Sequence, residues 1–107
     1  MTQSRIEVFE QMLTGDPANT MVLFGLAKEY EKASDDVKLI ETLEKYLAAA
    51  DDEGNAYGML ARALERTNQP EKARAAYQRG ADVATAHGHP GMAVEYKSIL
   101  ESEYAVP

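Results

Sequence analysis

The chain has 107 residues, 45% of them hydrophobic and 27% charged, which suits one folded domain with a modest core and excludes a disordered chain. Cysteine is absent, which rules out a disulfide framework, a thiolate metal site and a cysteine nucleophile, and makes a reducing cytoplasm the simplest home. The net charge of −7 argues against nucleic acid and anionic membranes as partners, unless the few cations gather on one face.

Acidic residues interrupt every apolar run near the N-terminus, as in Ile6-Glu7-Val8-Phe9-Glu10. That pattern fits neither a signal-peptide core nor a membrane span. The chain reads as helical throughout, with Gly and Pro at the joints and no strand-like alternation. A first helix is expected from about Gln3 to Leu13, with Ile6, Phe9 and Leu13 on one face. Gly15-Asp16-Pro17 breaks it, and Asp16 is placed to cap a second helix from about Ala18 to Lys32, with Pro17 in its first turn.

Leu23, Leu26, Ala27 and Tyr30 give the second helix its apolar side. Ser34-Asp35-Asp36 supplies acceptors for the start of a third, whose apolar residues are Val37, Ile40, Leu43 and Leu47. After Asp51-Asp52-Glu53-Gly54 comes a fourth helix, about Asn55 to Arg66, carrying Tyr57, Leu60, Ala61 and Leu64. Thr67-Asn68-Gln69-Pro70 leads into a fifth with Ala73, Ala76, Tyr77, Ala81 and Ala84. His87-Gly88-His89-Pro90 ends it. A sixth helix then sets Met92, Tyr96, Ile99 and Leu100 on one face and Glu95, Ser98, Glu101 and Ser102 outside. Joints this short make consecutive helices antiparallel.

A shift of thirty-four residues superposes the second helix on the fourth. Leu23 meets Tyr57, Leu26 meets Leu60, Ala27 meets Ala61 and Tyr30 meets Leu64. Charges match too: Lys28 with Arg62, Glu31 with Glu65, Lys32 with Arg66. An accidental repeat in an ordinary bundle would not match polar and apolar positions together, so the period indicates stacked helix-turn-helix units.

On these residues the chain resembles the tetratricopeptide repeat (TPR) family, whose pattern is aromatic-x2-Leu-Gly/Ala-x2-Tyr followed by Ala-x3-aromatic. Tyr57-x2-Leu60-Ala61-x2-Leu64 with Ala73-x3-Tyr77 is a close match, and Leu23-x2-Leu26-Ala27-x2-Tyr30 with Leu39-x3-Leu43 a looser one. Leu39 and Tyr46 are bulky where the family has small residues, and Pro90 comes late, so the fifth helix is expected to be over-long. The resemblance implies an all-α fold of about six antiparallel helices in a short TPR-like solenoid. The expected organisation is a single domain over 1–107: a half-repeat helix over 1–14, repeats over 18–51 and 52–87, and a capping helix over 90–104.

The resemblance also implies a protein-protein interaction module whose first-helix residues face a concave groove. Lys28 and Lys32 lie one turn apart, as do Arg62 and Arg66. The expected groove holds these four cations with Phe24 and Met59 as apolar anchors and Asn55 at its edge. Cations on the binding face of an acidic protein suit an acidic peptide or a terminal carboxylate. The plainer reading is that they are solvated and paired with Glu29, Glu31 or Glu65. Subfamilies that clamp chaperone tails use Lys and Asn at set groove positions, and Phe24 and Lys28 depart from that.

His87 and His89 lack a third ligand in sequence, so they read as a helix end with Gly88 in the left-handed turn. Asp51-Asp52-Glu53-Gly54-Asn55 lacks calcium-loop spacing. No metal, cofactor or catalytic set is indicated, and the expectation is that the chain is not an enzyme. The alternative function is a self-associating structural module, in which an end helix or an exposed aromatic face of Phe9, Tyr46, Tyr96 and Tyr104 builds a homodimer or fills in for missing repeats.

Overall fold

The computed structural model describes residues 4–105. The expected helix start at Gln3 and the last two residues of the acidic tail, Val106 and Pro107, lie outside them. Among the described residues there are six helices and no strand: α1 (Arg5–Gly15), α2 (Thr20–Lys32), α3 (Asp36–Ala49), α4 (Asn55–Arg66), α5 (Pro70–Ala86) and α6 (Pro90–Glu103). They form two compact units, Met1–Asp51 and Asp52–Pro107. In the first, α2 packs on both α1 and α3; in the second, α5 packs on both α4 and α6.

Three joints share one geometry. Ser34, Asn68 and Gly88 each adopt positive φ, at 57°, 60° and 77°. In each joint the next residue's N–H reaches back over the helix end: Asp35 to the Tyr30 carbonyl at 3.0 Å, Gln69 to Leu64 at 2.9 Å, and His89 to Ala84 at 2.8 Å. This is the Schellman closure, which satisfies carbonyls that the helix itself leaves unbonded. Tyr30 and Leu64, and Ser34 and Asn68, are partners in the thirty-four-residue register, so the turn repeats along with the helices.

The start of α2 differs from expectation. Asp16 does not cap it. The Asp16 carbonyl accepts from the Asn19 N–H at 3.2 Å, which closes a turn around Pro17, and the Asn19 side chain then accepts from the Val22 N–H at 3.2 Å. Proline suits the second position of such a turn, so the chain bends once more before the helix begins.

The first unit buries Val22, Leu23, Leu26, Ala27 and Tyr30 of α2 and Leu39, Thr42 and Leu43 of α3. Of the four residues expected to form the apolar side of α3, Leu43 is buried and Ile40 and Leu47 are half-buried. Val37 is 64% exposed. Apolar residues occupy more than half the circumference of α3, so periodicity alone could not choose the face. The family pattern Leu39-x3-Leu43 did choose it.

In the second unit every apolar residue expected on α5 is buried, and Gly80 is buried with them. At 17 residues α5 is the longest helix described. Asp52 holds the start of α4, its Oδ2 accepting from the N–H groups of Gly54 at 2.8 Å and Ala56 at 3.0 Å. Gly54 has φ 124°, and a methyl there would meet Met92 Sδ at 2.9 Å. No side chain fits this joint without displacing α6 residues.

Candidate peptide-binding faces

In the first unit the candidate face lies on α2, fixed by the burial of the opposite side. Leu23, Leu26, Ala27 and Tyr30 point inward, which leaves Lys28 and Lys32 exposed one turn apart. The Lys28 ammonium stands 5.8 Å from the centre of the Phe24 ring, a cation–π contact. Phe24 is half-buried and leans on Tyr46 of α3, ring centres 5.1 Å apart at 45°. Lys32 Nζ lies 3.3 Å from Glu29 Oε2, which also has Arg5 Nε at 3.6 Å. Both cations are largely exposed, so these ion pairs add little to stability.

Met21 was not among the expected site residues. It is 85% exposed and sits seven and eleven positions before Lys28 and Lys32, a spacing that puts all three on one line of a helix. Its signal was present in the sequence, because Met21 precedes Asn55 by the repeat period.

In the second unit Asn55, Arg62 and Arg66 of α4 are all exposed and keep the same seven- and eleven-residue spacing. Met59 does not join them. It is only 3% exposed and belongs to the core, so the expected apolar anchor on this helix is withdrawn. The reason lies in the register: Met59 corresponds to Gly25, which faces inward against Phe9 of α1, where an added methyl would meet Phe9 Cζ at 3.2 Å.

Glu65 of α4 reaches two tyrosines. Its two carboxylate oxygens accept from tyrosine hydroxyls, Oε1 from Tyr77 at 3.0 Å and Oε2 from Tyr104 at 2.7 Å. Burial, then the Glu65 hydrogen bond, pushes the Tyr77 phenol up to about 12, with Arg62 pulling the other way. Burial raises Tyr104 as well, again with Glu65 as the next cause. The first unit has a counterpart: Tyr30 donates to Glu10 Oε2 at 2.7 Å, and burial followed by that bond raises its phenol.

Of the aromatic residues expected on a self-associating face, Tyr96 is buried and Phe9, Tyr46 and Tyr104 are half-buried. Tyr96 is 3% exposed and donates to the Gly54 carbonyl at 2.9 Å. Phe9 packs on Gly25, Tyr46 on Phe24, and Tyr104 lies 6.1 Å from the Tyr77 ring. Aromatic residues that look peripheral in sequence are here the side chains that join one helix to the next.

At the turn between α5 and α6, Gly88 takes the expected left-handed conformation and His89 Nε2 pairs with Glu53 Oε1 at 2.9 Å. Among the described residues no three His, Cys, Asp or Glu side chains are grouped to hold a metal ion. None of the described helices is long and apolar enough to cross a membrane.

No protein-family model matches the chain, and no curated protein matches it in sequence. Solved structures do. Two crystal structures of MamA are similar to this chain at 25% identity and a TM-score of 0.68, each over 91% of its length. The chain spans 65% and 61% of those two proteins, less than two thirds of either. What this likeness carries is the fold: the chain has a TPR-like, all-α helical-repeat architecture.

Proposed function

We propose that this protein is an interaction module that takes acidic peptide segments of a partner protein on the exposed face of α2 in the first unit and on the equivalent face of α4 in the second. The observation that supports the reading is the repeated line of exposed residues: Met21, Lys28 and Lys32 on one helix, and Asn55, Arg62 and Arg66 on its repeat equivalent. The chain carries a net charge of −7, yet it keeps a cation at the same two helix positions in each repeat. Such a face attracts carboxylates.

Each exposed charge contact is worth at most about 1 kcal/mol, so affinity is modest and falls with salt as screening tightens. The experiment is a titration of acidic and basic peptides against wild type and the Lys28→Glu, Arg62→Glu double variant, at low and high salt. Wild type should prefer the acidic peptide at low salt, and the double variant should lose that preference. Equal binding of acidic peptide by both proteins would reduce the cations to a solvated surface.

Self-association is the second reading, and α1 is the feature that favours it. Val8 and Met12 are 39% and 50% exposed, one turn apart on a helix with no buried residue. Light scattering at micromolar concentration separates the two: an adaptor stays monomeric, while a self-associating module gives a dimer that Met12→Glu dissolves.

A further inference from the structure

The two candidate faces are equivalent in register but not in chemistry. Where α4 has Asn55, α2 has Met21. Where α4 has Gly58, α2 has Phe24, supported from behind by Tyr46. The cations are held in common, and the apolar surface beside them occurs on α2.

Single exposed apolar side chains are ordinary on protein surfaces. Met21 differs in its position. It is 85% exposed, the most exposed of the large apolar residues described, with Val37 next at 64%. It also heads the line that runs through Lys28 and Lys32. A methionine is unbranched and polarisable, and it adapts its shape to whatever apolar group is set against it. Phe24 offers less, since its ring is half-buried and the Lys28 ammonium already stands 5.8 Å from its centre.

Helix rise fixes the spacing. Met21 precedes Lys28 by about 10 Å along the helix and Lys28 precedes Lys32 by about 6 Å. An extended peptide advances about 3.3 Å per residue. A side chain resting on Met21 is therefore about three residues from a carboxylate at Lys28, and about five from one at Lys32.

We infer that the α2 face of the first unit selects acidic peptides that carry an aliphatic side chain about three residues from the nearer of two carboxylates, with Met21 as the contact for that side chain. The inference rests on the acidic-peptide reading above and adds a residue-level requirement to it. The cations bring the segment in, and Met21 sets which acidic segments stay. Asn55 gives the α4 face no such preference.

The test compares two labelled acidic peptides by fluorescence anisotropy at physiological salt. One has leucine three residues from the first of two glutamates, and the other has serine in its place. Burying a leucine side chain against an apolar partner corresponds to about a tenfold gain in affinity, so wild type should bind the leucine peptide about tenfold more tightly. Met21→Ser should cut that ratio to under about twofold. Val94→Ser, which removes another exposed apolar side chain (61% exposed), should leave the ratio intact.

The outcomes separate the two claims. Equal binding of both peptides by wild type, or an undiminished ratio in Met21→Ser, overturns the role of Met21 and leaves the cation faces standing. If wild type binds neither peptide while the fold is intact by circular dichroism, the acidic-peptide reading fails and the inference fails with it.

Discussion

The α2/α3 and α4/α5 hairpins are written in one repeat pattern and are filled in two different ways. In the first, Phe24 and Tyr46 supply their own rings to the space beside the helix contact, 5.1 Å apart and both half-buried. In the second, the corresponding residues are Gly58 and Gly80, and the space is taken by Tyr96 of α6. A methyl on Gly58 would overlap the Tyr96 hydroxyl, and one on Gly80 would meet Tyr57 Cβ at 2.8 Å and Tyr96 Cε2 at 3.0 Å. A hairpin that carries its own rings fills itself. One that carries glycines requires another helix, and that is how α6 is held in its unit.

The largest effect expected from this difference is at Tyr96. Tyr96→Ala removes a buried ring and its hydrogen bond to the Gly54 carbonyl, and should destabilise by about 3–5 kcal/mol. Tyr46→Ala removes a half-buried ring from the other hairpin and should cost about half as much or less. Urea denaturation measures both, and equal costs would mean that the two hairpins are filled alike.

Glycine substitutions sharpen the contrast. Gly80→Ala gains about 1 kcal/mol of helix propensity but forces a methyl into Tyr57 and Tyr96. The net result should be a loss of about 1–2 kcal/mol. Gly25→Ala meets only the far end of the Phe9 ring, at 3.2 Å, and its propensity gain should offset the crowding to within about 0.5 kcal/mol. Melting curves that rank the two in the opposite order would break the comparison.

Alkaline pH probes a feature that both units share, a buried phenol bonded to a carboxylate. The Tyr77 phenol is raised to about 12, so the folded state favours its neutral form. The stability this contributes is fully present below the ordinary tyrosine value of about 10 and is lost as pH rises from there towards about 12. Glu65→Gln removes the second cause of the shift and should flatten the decline between those values. A denaturation series from neutral to strongly alkaline pH reads it, and an unchanged slope would leave burial as the whole cause.

The smallest effect is in the turns. Ser34 and Asn68 hold positive φ, at 57° and 60°, where a side chain costs about 1 kcal/mol that glycine avoids at some cost in chain entropy. Ser34→Gly should raise stability by a few tenths of a kcal/mol. Asn68→Gly should gain less, because asparagine tolerates this conformation better than serine. Thermal melts in which Asn68→Gly gains more would show that the two turns are not equivalent.

The sequence by itself determined the six helices, their breaks and the repeat that relates α2 to α4, because these follow from local signals: helical spacing of apolar residues, small residues at Ala27 and Ala61, and turn residues at each joint. It also determined that Lys28, Lys32, Arg62 and Arg66 are exposed, since they lie opposite the apolar stripes of their helices. Tertiary structure decided what local pattern leaves open. Met59 went to the core and Met21 to the surface, though both are methionines on repeat-equivalent helices, because burial depends on what packs against a position. Tyr96 looked like an exposed ring until two glycines on other helices (Gly58 and Gly80) made room for it. A missing side chain carries no sign in the sequence of what will fill its place, and that is settled only when the helices meet.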